Sequence, residues 1–114
     1  MKTLFIICTL AFLTGCTNVS PRGEPPVVFY DSAKTADDLA GCIVQSLSAR
    51  MGMGHRIDTI SPGRIFEVHP QKEIMVGGEP YFVTIRVMEQ GSRAELQAYG
   101  GFKSALKGAV VACR

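Results

Sequence analysis

The sequence predicts a two-layer α+β domain, in which an antiparallel meander of about four strands carries an N-terminal and a C-terminal helix on one face. Three observations predict this fold class: two segments with apolar residues at helical spacing, a central region in which apolar and polar residues alternate, and turn residues between these segments. At 114 residues, the chain is long enough for one such domain.

The first helix is predicted over residues 36–51. Thr35 and Asp38 form a pattern typical of a helix N-terminus, with Asp38 in the place where a capping box usually has glutamate. Leu39, Ile43 and Leu47 recur every fourth residue and therefore define one buried stripe. Glycines shortly after residue 51 are typical of a helix end.

Short apolar runs elsewhere predict the remaining elements. An edge strand is predicted at residues 27–30, and two strands joined by a turn at 57–60 and 64–69. Residues 74–76 predict a further short strand. The second helix is predicted over residues 102–113, where apolar side chains again share one stripe: Phe102, Leu106, Ala109 and Cys113.

Residues 81–99 predict the clearest hairpin, because apolar and polar side chains alternate on both sides of a turn near Gln90 and Gly91. A symmetric turn at this point pairs apolar residues across the hairpin: Val87 with Ala94, Ile85 with Leu96, and Val83 with Ala98. The opposite face is then polar and is predicted to be open to water: Arg86, Glu95, Thr84 and Gln97.

Residues 1–15 have the composition of a signal peptide, with Lys2 followed by an apolar run over residues 4–13. A helix of that length spans roughly 15 Å and is too short for a hydrocarbon core of roughly 30 Å. The run ends at Leu13-Thr14-Gly15-Cys16, which resembles the lipobox of bacterial lipoproteins. The resemblance implies cleavage before Cys16, diacylglycerol on its thiol, and a fatty acid such as palmitate on the freed amine. The alternative is an ordinary secretory leader, cleaved elsewhere, with a free Cys16.

Residues 16–26 are predicted to be a lipidated tether, and residues 27–114 to be the single folded domain. Prolines and the absence of apolar periodicity favour a linker after the cysteine. Thr17 follows Cys16, where the enteric sorting rule for lipoproteins has Asp in those retained in the inner membrane. The resemblance therefore implies an outer-membrane lipoprotein that faces the periplasm and is held by its acyl chains.

Apart from Cys16, the chain after the leader contains two cysteines, Cys42 and Cys113. Each lies on the apolar stripe of a predicted helix, and the expected compartment is oxidising. A disulfide between them is therefore predicted. The alternative is a pair of reduced cysteines in the core.

Few residues suggest catalysis or metal binding. His55 and His69 are the two histidines, no Gly-x-Ser-x-Gly motif is present, and the spacing of the cysteines and histidines matches no zinc pattern. His69 precedes Pro70 at a strand end and is predicted to lie at the surface. Met51, Met53 and His55 alternate and offer soft ligands suited to Cu(I), although a packed and capped helix end is favoured for this segment.

Charge and composition favour a binding role over an enzymatic one. Once Lys2 is removed with the leader, eleven Lys and Arg face ten Asp and Glu, without a basic stripe suited to nucleic acid. We expect a non-enzymatic binding or accessory module without a cofactor, tethered to the membrane by lipid and recognising an envelope protein or cell-wall component. The alternative is a copper-handling lipoprotein that uses Met51, Met53 and His55.

Overall fold

The computed structural model describes residues 21–72 and 78–114. The expected signal peptide, Cys16, residues 17–20 of the expected tether and the short strand expected at 74–76 lie outside the described residues.

Two helices and a five-stranded antiparallel sheet form this part of the chain, so the predicted α+β class is confirmed. The elements are β1 (Val28–Ser32), α1 (Ala36–Met51), β2 (His55–Ser61), β3 (Ile65–Pro70), β4 (Tyr81–Val87), β5 (Ser92–Ala98) and α2 (Phe102–Val111). The strand order is β1-β5-β4-β3-β2. The sheet is larger than the expected four-stranded meander because β1 crosses over to pair with β5, the last strand of the chain.

The bounds of α1 are those that the sequence predicts, because local side chains fix both ends. The hydroxyl of Thr35 accepts a hydrogen bond from the backbone N–H of Asp38 at 3.2 Å. Gly52 ends the helix in the left-handed conformation, with φ of 69°. The predicted stripe of Leu39, Ile43 and Leu47 is fully buried against the sheet.

The hairpin of β4 and β5 keeps the predicted faces but not the predicted partners. Val83 lies opposite Leu96, and Ile85 lies opposite Ala94, a shift of two residues from the symmetric turn expected at Gln90 and Gly91. Since side chains alternate with a period of two, this shift changes partners without changing faces. The turn closes earlier, over residues 88–91, where the N–H of Met88 donates to the carbonyl of Gly91 at 3.2 Å and Gly91 adopts a φ of 76°. A Cβ atom on Gly91 would also meet the carbonyl oxygen of Ser32 on β1, at 2.0 Å.

Both helices cover the same face of the sheet, which we call the inner face. The predicted disulfide joins Cys42 to Cys113, with a Cα–Cα distance of 5.8 Å. Cys113 is fully buried in the turn after α2, which ends at Val111 and not at residue 113 as predicted. The hydroxyl of Ser46 on α1 also donates to the carbonyl of Ala109 on α2, at 2.6 Å. Covalent and polar contacts therefore hold the two helices side by side.

Candidate functional site

Charged side chains cluster on the outer face of the sheet, opposite the helices. Val68 points into the core, so alternation places Glu67 and His69 of β3 on the outer face. Their cross-strand neighbours on β2 are Asp58 and Arg56. Two further residues come from outside these strands, and together they form what we call the outer-face network: Arg22, Arg56, Asp58, Glu67, His69 and Glu79.

His69 is the centre of this network and is buried, with 4% of its surface exposed. The expectation that it lies at the surface is therefore wrong. Its Nε2 lies 2.8 Å from Oε1 of Glu67, and its Nδ1 makes a short contact with Glu79. Both ring nitrogens of His69 therefore face carboxylate oxygens, which accept hydrogen bonds from N–H groups. Buried polar groups are retained where they have hydrogen-bonding partners, and His69 has one on each side.

Arg22 closes the network from the N-terminal side. Its guanidinium donates two hydrogen bonds to the carboxylate of Glu67, at 2.8 and 3.1 Å. It also lies over the ring of Phe82, 4.4 Å from the ring centroid. The hydrogen bonds from Arg22 lower the pKa of Glu67, while hydrogen bonding to Glu67 raises the pKa of Arg22. Both residues are therefore held in their charged forms.

Residues 21–26, which the composition assigns to the tether, lie on the outer face, and we call them the strap. The side-chain amide of Gln97 on β5 donates to the carbonyl of Glu24 at 3.0 Å, with longer contacts of 3.4 Å to those of Pro21 and Arg22. Lys103 of α2 forms an ion pair with Glu24 at 3.1 Å. This part of the expected tether is therefore packed on the domain.

The outer face is less exposed than its polarity predicts, and Arg22 of the strap covers part of it by lying over Phe82. Thr84, expected to face water, is 5% exposed, and Phe82 is 2% exposed although it points away from the helices. Arg86 does remain exposed, and it contacts Glu95 at 3.7 Å as a diagonal neighbour, because Thr84 now lies directly opposite Glu95. The alternating charges of β2 and β3 were a sequence signal for a charged sheet face. No local pattern predicted that Arg22, more than 40 residues away from Glu67, would complete it.

His55 belongs to a separate buried network on the inner face. Its Nε2 accepts from the hydroxyl of Tyr81 at 2.7 Å, and its Nδ1 donates to the carbonyl of Met53 at 3.2 Å, with the Ser48 hydroxyl 3.1 Å from the same nitrogen. Burial lowers the pKa of His55 and raises that of Tyr81 to about 12, so both side chains are neutral.

The hydrogen bonds of this inner network occupy one of the three residues suggested as ligands for Cu(I), which were Met51, Met53 and His55. Both ring nitrogens of His55 are already hydrogen-bonded, and Met51 packs against the hydrophobic core. In this conformation the imidazole links α1 to β4 and offers no free nitrogen to a soft metal ion. Across residues 21–72 and 78–114, no group of three or more His, Cys, Asp or Glu side chains has a metal-binding arrangement.

Comparisons with known proteins identify no relative. No protein-family model, no curated protein and no solved structure matches the chain. Within the described residues, neither helix is both long enough and apolar enough to cross a bilayer. Inferences about function therefore rest on the lipobox resemblance and on the geometry of the outer face.

Proposed function

We propose that the protein is an outer-membrane lipoprotein whose α+β domain is a non-enzymatic binding module, held at the membrane surface by lipid on Cys16. The lipobox Leu13-Thr14-Gly15-Cys16 supports the anchor, and Thr17 supports the outer membrane. The attachment of the strap to the outer face is the observation that supports a defined orientation of the domain at the membrane.

The strap limits the distance between the lipid on Cys16 and the folded domain. Pro21 is buried against the sheet, and five Cα–Cα steps separate it from Cys16. Even a fully extended chain of that length reaches only roughly 18 Å. A domain attached in this way stays near the membrane and turns its outer face, where the connection emerges, towards the lipid. Its helical layer then points away from the membrane.

The charged residues of the outer face support a binding role because they compensate one another. Glu67 is shared between Arg22 and His69, and Glu79 between His69 and Arg56. Groups used as general acids or bases need a proton to exchange with substrate, whereas these groups are tied to each other and to the strap. We assign the network the task of fixing the strap, and we assign partner recognition to the surfaces that the strap leaves open.

Replacing Cys16 with serine tests the anchor, and Cys8 provides a matched control within the leader. We expect Cys16→Ser protein to lose acylation and detergent-phase partitioning, whereas Cys8→Ser protein keeps both. Mass spectrometry of the mature protein measures the acyl chains, and separation of the two membranes by density measures the location. Acyl chains on Cys16→Ser protein would refute the anchor.

Fluorescence quenching tests the orientation. A fluorophore attached at Arg86→Cys reports on the outer face, and one attached at Lys107→Cys reports on the exposed surface of α2. In vesicles that contain headgroup-labelled quencher lipids, we expect stronger quenching at the Arg86 position. Equal quenching at both positions, with acylation intact, would contradict the proposed presentation while leaving the anchor in place.

A further inference from the structure

Among residues 21–72 and 78–114, no strand pairs with the outer edge of β2. β2 is the last strand of the sheet, and Ile57 is 46% exposed on it. The N–H of Gln71 donates to the carbonyl of Gly54, which makes Gly54 and Gln71 a hydrogen-bonded pair. Such pairs alternate along antiparallel strands, so the main-chain groups of His55, Ile57 and Thr59 point away from β3. Pro70, opposite His55, agrees with this pattern because it has no N–H to donate. The carbonyl of His55 is also contacted by the side-chain amide of Gln71, at 3.5 Å.

The side chains along this edge are self-complementary. Arg56 and Asp58 flank Ile57 on the outer face, carry opposite charges and form an ion pair with each other at 3.3 Å, and Arg56 also pairs with Glu79 at 2.9 Å. Both Arg56 and Asp58 remain 41% exposed to a partner strand. When the strand is paired antiparallel with a copy of itself about Ile57, Arg56 lies opposite Asp58 of the partner subunit, and Asp58 opposite the partner's Arg56. Ile57 then covers the partner's Ile57 on the inner face, and His55 lies opposite the partner's Thr59. Opposite charges in directly facing positions stabilise an antiparallel pair.

The neighbouring registers are disfavoured. The main-chain groups that point outwards restrict pairing to shifts of two residues. A shift in one direction places Asp58 opposite the partner's Asp58, and a shift in the other places Arg56 opposite the partner's Arg56. Like charges in directly facing positions destabilise a sheet. The register irregularity between Thr59 and Ser61 lies beyond the paired residues and ends the pairing there.

We propose that β2 is a dimerisation edge, on which two copies of this chain pair their β2 strands about Ile57 and join their sheets into one. The two-fold axis of this pairing is perpendicular to the sheet, so both outer faces and both straps lie on the same side. Two lipid anchors on the same side reach one membrane. This last point rests on the proposed function, whereas the pairing depends only on the described strand.

The opposite edge of the sheet lacks these features. β1 begins two residues after Pro26, and Asp31 is its one charged residue, so this strand lacks the two opposite charges that β2 carries. Phe29 is 66% exposed on this strand, more than Ile57 is on β2. Phe29 therefore provides a control position for crosslinks that arise from exposure alone.

Cysteine crosslinking of the full-length lipidated protein in its membrane tests the proposal. In the proposed register, the two Ile57 Cα atoms lie about 5.5 Å apart, within reach of a disulfide. Those of Thr59 lie four residues out of register, roughly 13 Å along the strand, which is beyond that reach. After mild oxidation, we expect Ile57→Cys to yield roughly fivefold more covalent dimer than Thr59→Cys or Phe29→Cys.

Charge reversal tests the pairing of Arg56 with Asp58. In the Ile57→Cys background, Asp58→Arg places like charges opposite each other and is expected to reduce the dimer, while Asp31→Arg on β1 leaves it unchanged. Coexpression of an Asp58→Arg chain with an Arg56→Glu chain makes every facing pair opposite in charge and is expected to restore crosslinking between the two chains. Melting curves of each variant establish that it is folded.

Three outcomes would overturn the proposal. Equal dimer yields at Ile57→Cys, Thr59→Cys and Phe29→Cys would show that the crosslinks form by random collision of two chains and not by strand pairing in one register. The absence of dimer at Ile57→Cys would show that the edge is unpaired. An adduct with a mass other than twice that of the chain would assign the edge to a different protein. The same measurement on Cys16→Ser protein, at matched concentration, separates failure of the edge from failure of the lipid anchor.

Discussion

The disulfide between Cys42 and Cys113 is expected to supply a large share of the stability of this domain. It closes a loop with a sequence separation of 71 residues. Restricting a loop of this length in the unfolded chain stabilises the fold by about 4 kcal/mol in the chain-entropy model. Small domains have total free energies of unfolding of only about 5–15 kcal/mol, so reduction removes much of the total.

Urea unfolding with and without reductant measures this contribution. The mature, non-acylated chain carrying Cys16→Ser avoids the need for detergent. We expect the oxidised protein to unfold at a urea concentration about 2–4 M higher than the reduced protein, and at a temperature roughly 15–30 °C higher.

A double variant, Cys42→Ala with Cys113→Ala, provides the control, because its stability is expected to be the same with and without reductant. A difference below about 1 kcal/mol between oxidised and reduced protein would refute the loop-entropy argument. Quantitative alkylation of Cys42 and Cys113 in protein isolated without reductant would refute the bond itself.

Two further predictions concern the strap and the buried histidine. Arg22→Ala removes an ion pair with Glu67 whose arginine is 59% exposed, so after solvent screening we expect the free energy of unfolding to fall by only about 1 kcal/mol, with faster hydrogen exchange in residues 21–26. Arg93→Ala breaks a surface ion pair and is expected to leave hydrogen exchange in the strap unchanged. Unaltered hydrogen exchange in Arg22→Ala would contradict the role of the strap contact. Burial lowers the pKa of His55 below its ordinary value of 6.5, and hydrogen bonding to Arg22 lowers that of Glu67 below 4.5. In both cases the unfolded chain takes up the proton first as pH falls, so stability is expected to decrease below about pH 6.5 through His55 and again below about pH 4.5 through Glu67. Urea midpoints between pH 8 and pH 3 measure both decreases, and a His55→Gln variant that loses stability just as steeply between pH 7 and pH 5 would exclude His55 as the cause.

Features that depend on neighbours in the chain were predictable from the sequence. The bounds of α1 followed from Thr35 and from the glycine after residue 51, because capping is decided by adjacent residues. The faces of the β4–β5 hairpin followed from alternation, and the disulfide followed from two cysteines on apolar stripes together with the expectation of an oxidising compartment.

The predictions that failed were those in which a distant segment decides the outcome. The close approach of Gly91 to Ser32, which leaves no room for a side chain, is a contact with β1 that no hairpin pattern contains. His69 was expected at the surface because it precedes Pro70, yet carboxylates from two other positions bury it. The strap was expected to be free because its composition resembles a linker, yet Glu67 and Gln97 hold it.

The sequence by itself thus determined the fold class, the first helix, the disulfide pair and the expectation of a lipid anchor, since each depends on local spacing or on a short motif. Only the tertiary structure decided that β1 joins β5, that the outer-face network forms around His69, and that β2 is left as an edge with Arg56 and Asp58 on either side of Ile57. The physical reason is that burial and pairing of polar groups depend on which segments meet, and segments far apart in sequence meet only when the whole sheet has assembled.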